Sequence, residues 1–183
     1  TIAERAGSLG RLVEQLLLGS RAGADQLPVR NGPFDLAALL KAAVIAFRPL
    51  SDKHTLTTEI AGDLPTAFGD TMATDIIVGQ LLENAFKYSP QGGPVVVSAQ
   101  AIDGHIEVTV ADHGIGIADG DHERIFERFF QGEAGDRRRF GGIGIGLYIV
   151  RRLAIAQGGE VDARSRPEGG TIMRLVLRDA ASA

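Results

Sequence analysis

Leu81-Leu82-Glu83-Asn84-Ala85-Phe86-Lys87-Tyr88 reads as the last turns of an amphipathic helix with chemistry on one face and core on the other. At helical spacing Glu83, Asn84, Lys87 and Tyr88 share one arc, and Val78, Leu81, Leu82, Ala85 and Phe86 share the opposite one. The polar arc sets a carboxylate, an amide, a cation and a phenol side by side. Oxygen donors suit a hard cation, positive charge suits phosphate and a flat ring suits a base, so the set fits a magnesium nucleotide. An ordinary solvated face has the same look in isolation. The downstream elements of the chain decide between the two.

Two glycine clusters lie beyond this helix. Asp112-His113-Gly114-Ile115-Gly116-Ile117 comes directly after an alternating strand pattern, and Gly141-Gly142-Ile143-Gly144-Ile145-Gly146-Leu147 directly before an apolar helical run. A weaker third, Gly169-Gly170-Thr171, opens the last strand. Glycines bring backbone close to a ligand and present amide donors to phosphate, and a helix beginning just beyond adds its positive end. Most glycine pairs only mark turns. No Lys-Ser or Lys-Thr succeeds the glycines and no Gly-x-Gly-x-x-Gly occurs, so neither a Walker loop nor a dinucleotide fingerprint is present. The order of the elements carries more information than any one of them.

In that order the chain resembles the ATP-binding catalytic domain of sensor histidine kinases, within the superfamily that also holds gyrase-type, Hsp90-type and MutL-type ATPases. Leu82–Ala85 with Lys87–Pro90 looks like the N box, and Asp112–Ile117 like the first glycine box. Ile125–Phe130 looks like the F box, Gly142–Leu147 like the second glycine box and Gly169–Thr171 like the third. The resemblance runs from about Phe34 to Leu177. It implies ATP and Mg²⁺ as cofactors and an α/β two-layer sandwich. Its sheet is mixed and largely antiparallel, its helices pack on one face, and here an extension helix precedes it. The expected hairpins make antiparallel neighbours and lead to the same mixed sheet independently.

The resemblance also implies roles for site residues. Asn84 holds Mg²⁺ through its side-chain oxygen, and Glu83 polarises the attacking group as a general base would. Lys87 approaches the phosphates and Tyr88 packs by the adenine or sugar. Asp112 accepts a hydrogen bond from the adenine amino group, while Gly114 and Gly116 leave room for the base. Gly142, Gly144 and Gly146 offer amides to the phosphates. Thr171 lies near the adenine through its hydroxyl, although a plain strand residue fits that position equally well. Ile117, Arg128, Phe129 and Leu147 belong to the same nucleotide-contacting set. Arg137-Arg138-Arg139 lies in the expected lid, about residues 118–142, and one of the three reaches for the γ-phosphate if the run is more than a solvated surface. Phe126 and Phe129 are expected to anchor the hinge of that lid. Two departures stand out. Ile143 sits where the family often has Ser or Thr, and Gln131 where an Arg is frequent after the F-box aromatics.

Length and composition agree with one modest domain plus an extension. The chain has 183 residues, of which 44% are hydrophobic; a domain of ~150 residues buries roughly 68–70% of its unfolded surface. The net charge of −4 argues against a general nucleic-acid binder. There is no cysteine, so disulfides and thiolate metal sites are excluded and a reducing, cytoplasmic setting fits. No apolar run approaches the roughly 18–20 residues of a membrane span, so no membrane contact is expected of this stretch, whether or not the parent protein is anchored. The start at Thr1 without methionine leads us to expect a fragment of a longer protein.

The remaining elements are read from periodicity. Leu9, Leu12, Val13, Leu16 and Leu17 predict an opening helix, then a linker over Gly19–Pro33 with a short strand at Leu27–Arg30. Asp35 is placed to cap a helix running to about Pro49, His54–Ile60 alternates as a strand, and Gly69-Asp70 opens the helix that ends near Ser89. Pro94–Ile102 and His105–Ala111 read as a hairpin turning at Asp103-Gly104. A helix is predicted over Ile145–Gln157, then strands at Glu160–Ser165 and Thr171–Leu177.

His54, His105, His113 and His122 lack the helical signature of a phosphoacceptor and read as structural or solvent-facing. The resemblance then makes residues 1–24 the second helix of the dimerisation and phosphoacceptor hairpin plus linker, and 25–183 the catalytic domain. The acceptor histidine would lie upstream. Implied partners are the protein's own phosphoacceptor helices, a homodimer in the full-length protein, and a response regulator. Three rivals share features of this pattern: a serine kinase of the anti-sigma-factor type, a gyrase- or MutL-type ATPase, and a non-catalytic nucleotide-binding or dimerisation module.

Overall fold

The computed structural model describes residues 27–132 and 144–182. The predicted opening helix, the run Arg137–Arg139, Gly142 and Ile143 lie outside the described residues. Among the described residues a seven-stranded sheet carries three helices on one face, as the patterning implies. In chain order the elements are β1 (Gly32–Phe34), α1 (Leu36–Phe47), β2 (His54–Ile60), β3 (Ala67–Gly69), α2 (Thr71–Lys87), β4 (Gly93–Ile102), β5 (His105–Ala111), α3 (Gly146–Ala156), β6 (Glu160–Ser165) and β7 (Thr171–Asp179). Short 3₁₀ turns occupy Arg48–Leu50 and Arg124–Phe126. The strand order is β1-β3-β7-β5-β4-β2, with β6 also paired to β7. Among the described residues β2 and β4 run parallel and every other strand pair is antiparallel.

Alternation decides which face is core. Val95, Val97 and Ala99 of β4, Ile106, Val108 and Val110 of β5, and Met173, Leu175 and Leu177 of β7 all point inward and are buried. They meet Leu36, Leu40 and Val44 of α1, Ile77, Leu81 and Leu82 of α2, and Ile149 and Leu153 of α3. The outer face is polar. There Arg174 donates to Asp162, Glu107 and Glu160 across three strands.

Local chemistry sets the element ends. Asp35 and Asp70 are N-caps, each accepting from the N–H three residues on at 2.9 Å. Asp103 and Gly104 both adopt positive φ (49° and 75°), the geometry of a tight two-residue hairpin turn. One expected strand needs correction. Leu27–Arg30 is not a strand, because the Val29 N–H turns back to the Leu27 carbonyl at 2.9 Å and the Arg30 N–H donates to Asp70 Oδ2 at 2.6 Å. The strand lies later, at Gly32–Phe34, paired with β3. Neither member of that pair is foreshadowed by alternation, since three residues containing a glycine or proline give no period to read.

Gln157 ties the far ends of α2 and α3 together. It is fully buried, and its Oε1 accepts from the Asp70 N–H at 3.0 Å and the Thr74 hydroxyl at 3.1 Å. Gln157→Leu keeps the volume but strands both donors. The expected loss is about 1–3 kcal/mol, read as a lower urea midpoint with unchanged slope.

Candidate functional site

The C-terminal half of α2 delivers the polar arc. Leu81, Leu82 and Ala85 are buried, Glu83 is exposed, and Asn84, Lys87 and Tyr88 are half-buried. The chemistry-bearing face therefore borders solvent while its opposite face is held by core. The Gln80 amide lies 3.4 Å from Glu83 Oε2, and Lys87 Nζ stands 5.0 Å from the centre of the Tyr88 ring.

Both glycine turns abut this helix, one at each end of the arc. Gly114 lies against the end of α2: an added Cβ would overlap the Tyr88 carbonyl and come within 2.7 Å of Ser89 Oγ. The neighbouring Ile115 N–H donates to Tyr88 O at 3.0 Å. Gly146 lies against the Gln80 side chain, where a Cβ would stand 2.9 Å from its Cδ. Gln80 and Tyr88 are eight residues apart, about 12 Å along the helix. The two turns thus flank the polar arc of α2, one at its Tyr88 end and the other near Gln80.

Asp112 closes the Tyr88 end. The residue is only 5% exposed, and Oδ1 accepts from the Gly114 N–H at 2.8 Å, the Thr171 N–H at 3.2 Å and the Ser89 hydroxyl at 3.5 Å. Among the described residues every hydrogen bond to this carboxylate falls on Oδ1, which leaves Oδ2 for a donor from outside. Burial raises its pKa above the ordinary carboxylate value; the Gly114 and Thr171 amides, the Ser89 hydroxyl and the Arg166 charge all work against that rise. Asp112 N–H also donates to the Thr171 carbonyl at 2.9 Å.

Seven of the expected site residues, Glu83, Asn84, Lys87, Tyr88, Asp112, Gly114 and Thr171, gather around the end of α2. Thr171 is buried and meets Asp112 through its backbone amide. Gly114 is required by its approach to the Tyr88 backbone, which differs from the expected role of making room for a base. Gly116 is required by its φ of 75°, with the Gly170 carbonyl 3.5 Å from a would-be Cβ. Gly144 also has positive φ (71°); its carbonyl accepts from the Phe129 N–H at 2.9 Å, joining the second glycine turn to the F-box stretch. Ile117, Ile145 and Leu147 pack at the margin of the core. Arg128 lies 5.7 Å from the Phe129 ring and 5.3 Å from the Tyr148 ring.

The aromatic pair expected to anchor the lid divides. Phe126 is 2% exposed and buried in the core, with the Arg151 guanidinium over its ring. Phe129 is 54% exposed and holds a positive φ of 62°, and is held by its backbone N–H on the Gly144 carbonyl at 2.9 Å. The histidines are structural or at the surface. His54 stacks on Phe86 at 4.5 Å, and its Nε2 lies 3.0 Å from the Ser89 carbonyl, which requires a proton on that nitrogen. Its Nδ1 then accepts from the Ser51 hydroxyl at 2.6 Å. His105 Nδ1 lies 3.0 Å from the Asp103 carbonyl, and His122 Nε2 2.8 Å from the Ser165 hydroxyl. His113 Nδ1 lies 3.1 Å from both the Pro94 carbonyl and Arg166 Nη1; a carbonyl needs an N–H and a guanidinium needs a lone pair, so the ring serves one at a time. Three contributors are not singled out by sequence: Ser89, Arg166 and Gln80. Ser89 lies in plain view inside the N-box stretch. The other two have no local signal, because their roles come from contacts with distant turns.

Among the described residues no helix is long and apolar enough to cross a membrane, and no group of three or more His, Cys, Asp or Glu side chains is arranged to hold a metal.

The chain is similar to known proteins over most of its length. Residues 69–181 match the family model of histidine kinase-, DNA gyrase B- and HSP90-like ATPases. The sensor-like histidine kinase SenX3 of Mycobacterium tuberculosis is 35% identical over 94% of the chain, and the histidine protein kinase DivJ of Caulobacter vibrioides 36% over 96%. The chain spans 42% and 30% of those two proteins. Full-length ShkA, solved in complex with AMPPNP, superposes with a TM-score of 0.75 at 30% identity, over 96% of this chain and 37% of ShkA. The mycobacterial sensor histidine kinase MprB gives 0.71 at 27% identity, over 82% of this chain and 98% of that structure. The chain belongs to this ATPase family.

The raised Asp112 pKa has a testable sign. The folded state binds this proton more tightly than the unfolded one, so the group lowers stability increasingly as pH rises from about 4 towards its folded pKa. Asp112→Asn keeps an oxygen to accept from the Gly114 and Thr171 amides but has no charge to bury. In urea titrations without nucleotide, the variant is expected to gain on the parent chain as pH goes from 4 to 7. A gap that is constant with pH would contradict the burial argument.

Proposed function

We propose that this member of the histidine kinase-, DNA gyrase B- and HSP90-like ATPase family is the Mg-ATP-binding catalytic portion of a two-component sensor histidine kinase. It would transfer the γ-phosphoryl group to a histidine outside this chain. The single observation that carries the nucleotide half of the reading is Asp112 Oδ2: the second oxygen of a side chain that is only 5% exposed, with no donor among the described residues. An adenine amino group supplies such a donor. The kinase half is supported by the similarity to sensor histidine kinases and by the AMPPNP complex of one similar protein.

The residues present fit a magnesium triphosphate chemically. Asn84 contributes an uncharged oxygen, which suits a cation that keeps most of its ligands as phosphate and water. Mg²⁺ when bound neutralises charge that develops on the phosphate oxygens. Lys87 adds positive charge one turn from Asn84, while its neighbour Tyr88 borders the base end. The amides of Gly144 and Gly146 face phosphates in this reading, at the start of α3 where the helix dipole favours anions, and the resemblance gives Gly142 the same role. Glu83, exposed on the same face, accepts the proton of the acceptor imidazole. The imidazole nitrogen forms its bond to the γ-phosphorus as the bond to the ADP oxygen breaks. Little covalent work falls to the protein, so alignment and charge carry the rate.

The same reading assigns the partners. Residues 1–24 belong to the phosphoacceptor hairpin, residues 25–183 to the catalytic domain, with a nucleotide lid at about 118–142. The full protein is a homodimer with cytoplasmic catalysis, and a response regulator takes the phosphate onward.

Labelled ATP, magnesium and a supplied acceptor helical bundle test the reading. The expected product is an acid-labile, base-stable phosphate on the bundle, reduced at least about 100-fold by Asn84→Ala, as when one electrostatic contact to the transferring group is lost. Acid-stable phosphate would point to a serine kinase. Release of free phosphate without transfer would point to a hydrolytic ATPase.

A further inference from the structure

We propose that Arg166 is a positioning residue for the Asp112 site, holding the Asp112–His113 backbone in place and setting the charge that faces the base of the nucleotide. The inference rests on reading Asp112 as the acceptor of the adenine amino group.

Arg166 opens the β6–β7 turn. Its N–H donates to the Gly170 carbonyl at 3.1 Å and its carbonyl accepts from the Gly169 N–H at 3.1 Å. This closed turn folds the side chain back over the end of β5. Nη1 donates to the Asp112 carbonyl at 3.1 Å and lies equally close to His113 Nδ1. The side chain is only 17% exposed, so its charge is poorly screened. Glu168, its carboxylate neighbour among the described residues, is 79% exposed and stands 3.4 Å away, a contact that holds an arginine weakly. The directional grip is therefore on the Asp112 carbonyl, with His113 Nδ1 as an acceptor only when its ring does not donate to Pro94.

The packing explains why a grip is needed there. Gly170 presses so closely on the Asp112 carbonyl that a Cβ could not be accommodated, and Thr171 then turns its N–H onto Oδ1. A shift of the β6–β7 turn would move Oδ1, and with it the orientation of Oδ2. Arg166 pins the two strand ends by a bond independent of the β5–β7 ladder. Its charge also opposes the effect of burial on this carboxylate, after the larger contributions of the Gly114 and Thr171 amides and the Ser89 hydroxyl. The other groups that meet Asp112 are the Ser89 hydroxyl and the Gly114 and Thr171 amides, with the His113 ring beside it on Arg166, and Glu168 one step further out, on the far side of the guanidinium. His54 stands behind, reaching it only through the Ser89 carbonyl.

The test is Mg-ATP affinity by calorimetry from pH 5 to 8 on the chain, Arg166→Gln, Arg166→Lys and His113→Gln, with folding checked by circular dichroism. Arg166→Gln is expected to weaken ATP about tenfold at neutral pH, as for loss of a charged hydrogen bond. The acid side of its affinity profile is expected to move to higher pH, because Asp112 then takes its proton sooner. Arg166→Lys retains the charge without the fork, so the acid side should return to the parent position while affinity recovers only in part. The displacement should persist in the Arg166→Gln, His113→Gln double variant. The proposal is overturned by an unmoved acid side in Arg166→Gln, by affinity within twofold of the parent, or by a displacement that vanishes with His113. Asp112→Asn separates the two claims. If it binds ATP as tightly as the parent, the underlying reading of Asp112 fails; if it loses binding while Arg166→Gln does not, only the Arg166 proposal fails.

Discussion

One carboxylate oxygen holds the site together. Asp112 Oδ1 accepts from Gly114 on its own turn, Thr171 at the start of β7 and Ser89 beyond α2, so three segments distant in sequence meet on a single atom. A buried carboxylate is costly to desolvate, and directed N–H donors are what offset that cost. The second oxygen is a different matter. Because the scaffold is satisfied through Oδ1, Oδ2 can be committed to a ligand without loosening the fold.

The same economy explains the glycines. Gly114 and Gly170 let backbone pass where a Cβ would overlap the Tyr88 and Asp112 carbonyls. Their first duty is to bring α2, β5 and β7 close enough for the Asp112 network to form. Gly144 does the equivalent at the other end, where its neighbours are the Phe129 and Phe130 backbone. Pre-formed approach of this kind leaves less ordering to be done when a nucleotide arrives.

Much of this was legible in the chain. Asp35 and Asp70 announced their helices by cap chemistry, Asp103-Gly104 announced the hairpin, and the alternation of β4, β5 and β7 marked one buried face. The paired strands Gly32–Phe34 and Ala67–Gly69 were not legible, because their partners are set by sheet edge and not by pattern. Phe126 and Phe129 illustrate the limit at the site. They are equally apolar and three residues apart, yet one is core and the other lies open with a left-handed backbone. Arg166 was silent for a related reason: an arginine in a turn is ordinary until the fold brings a strand end beneath it.

The claim that Asp112 Oδ2 reads an amino group is tested most directly from the ligand side. Affinities of ATP and of purine riboside triphosphate, which lacks only the 6-amino group, would be compared on the unaltered chain with magnesium. The expected result is a loss of about 1.5–3 kcal/mol for the analogue, the range for a hydrogen bond to a charged acceptor. Equal affinities would contradict the account.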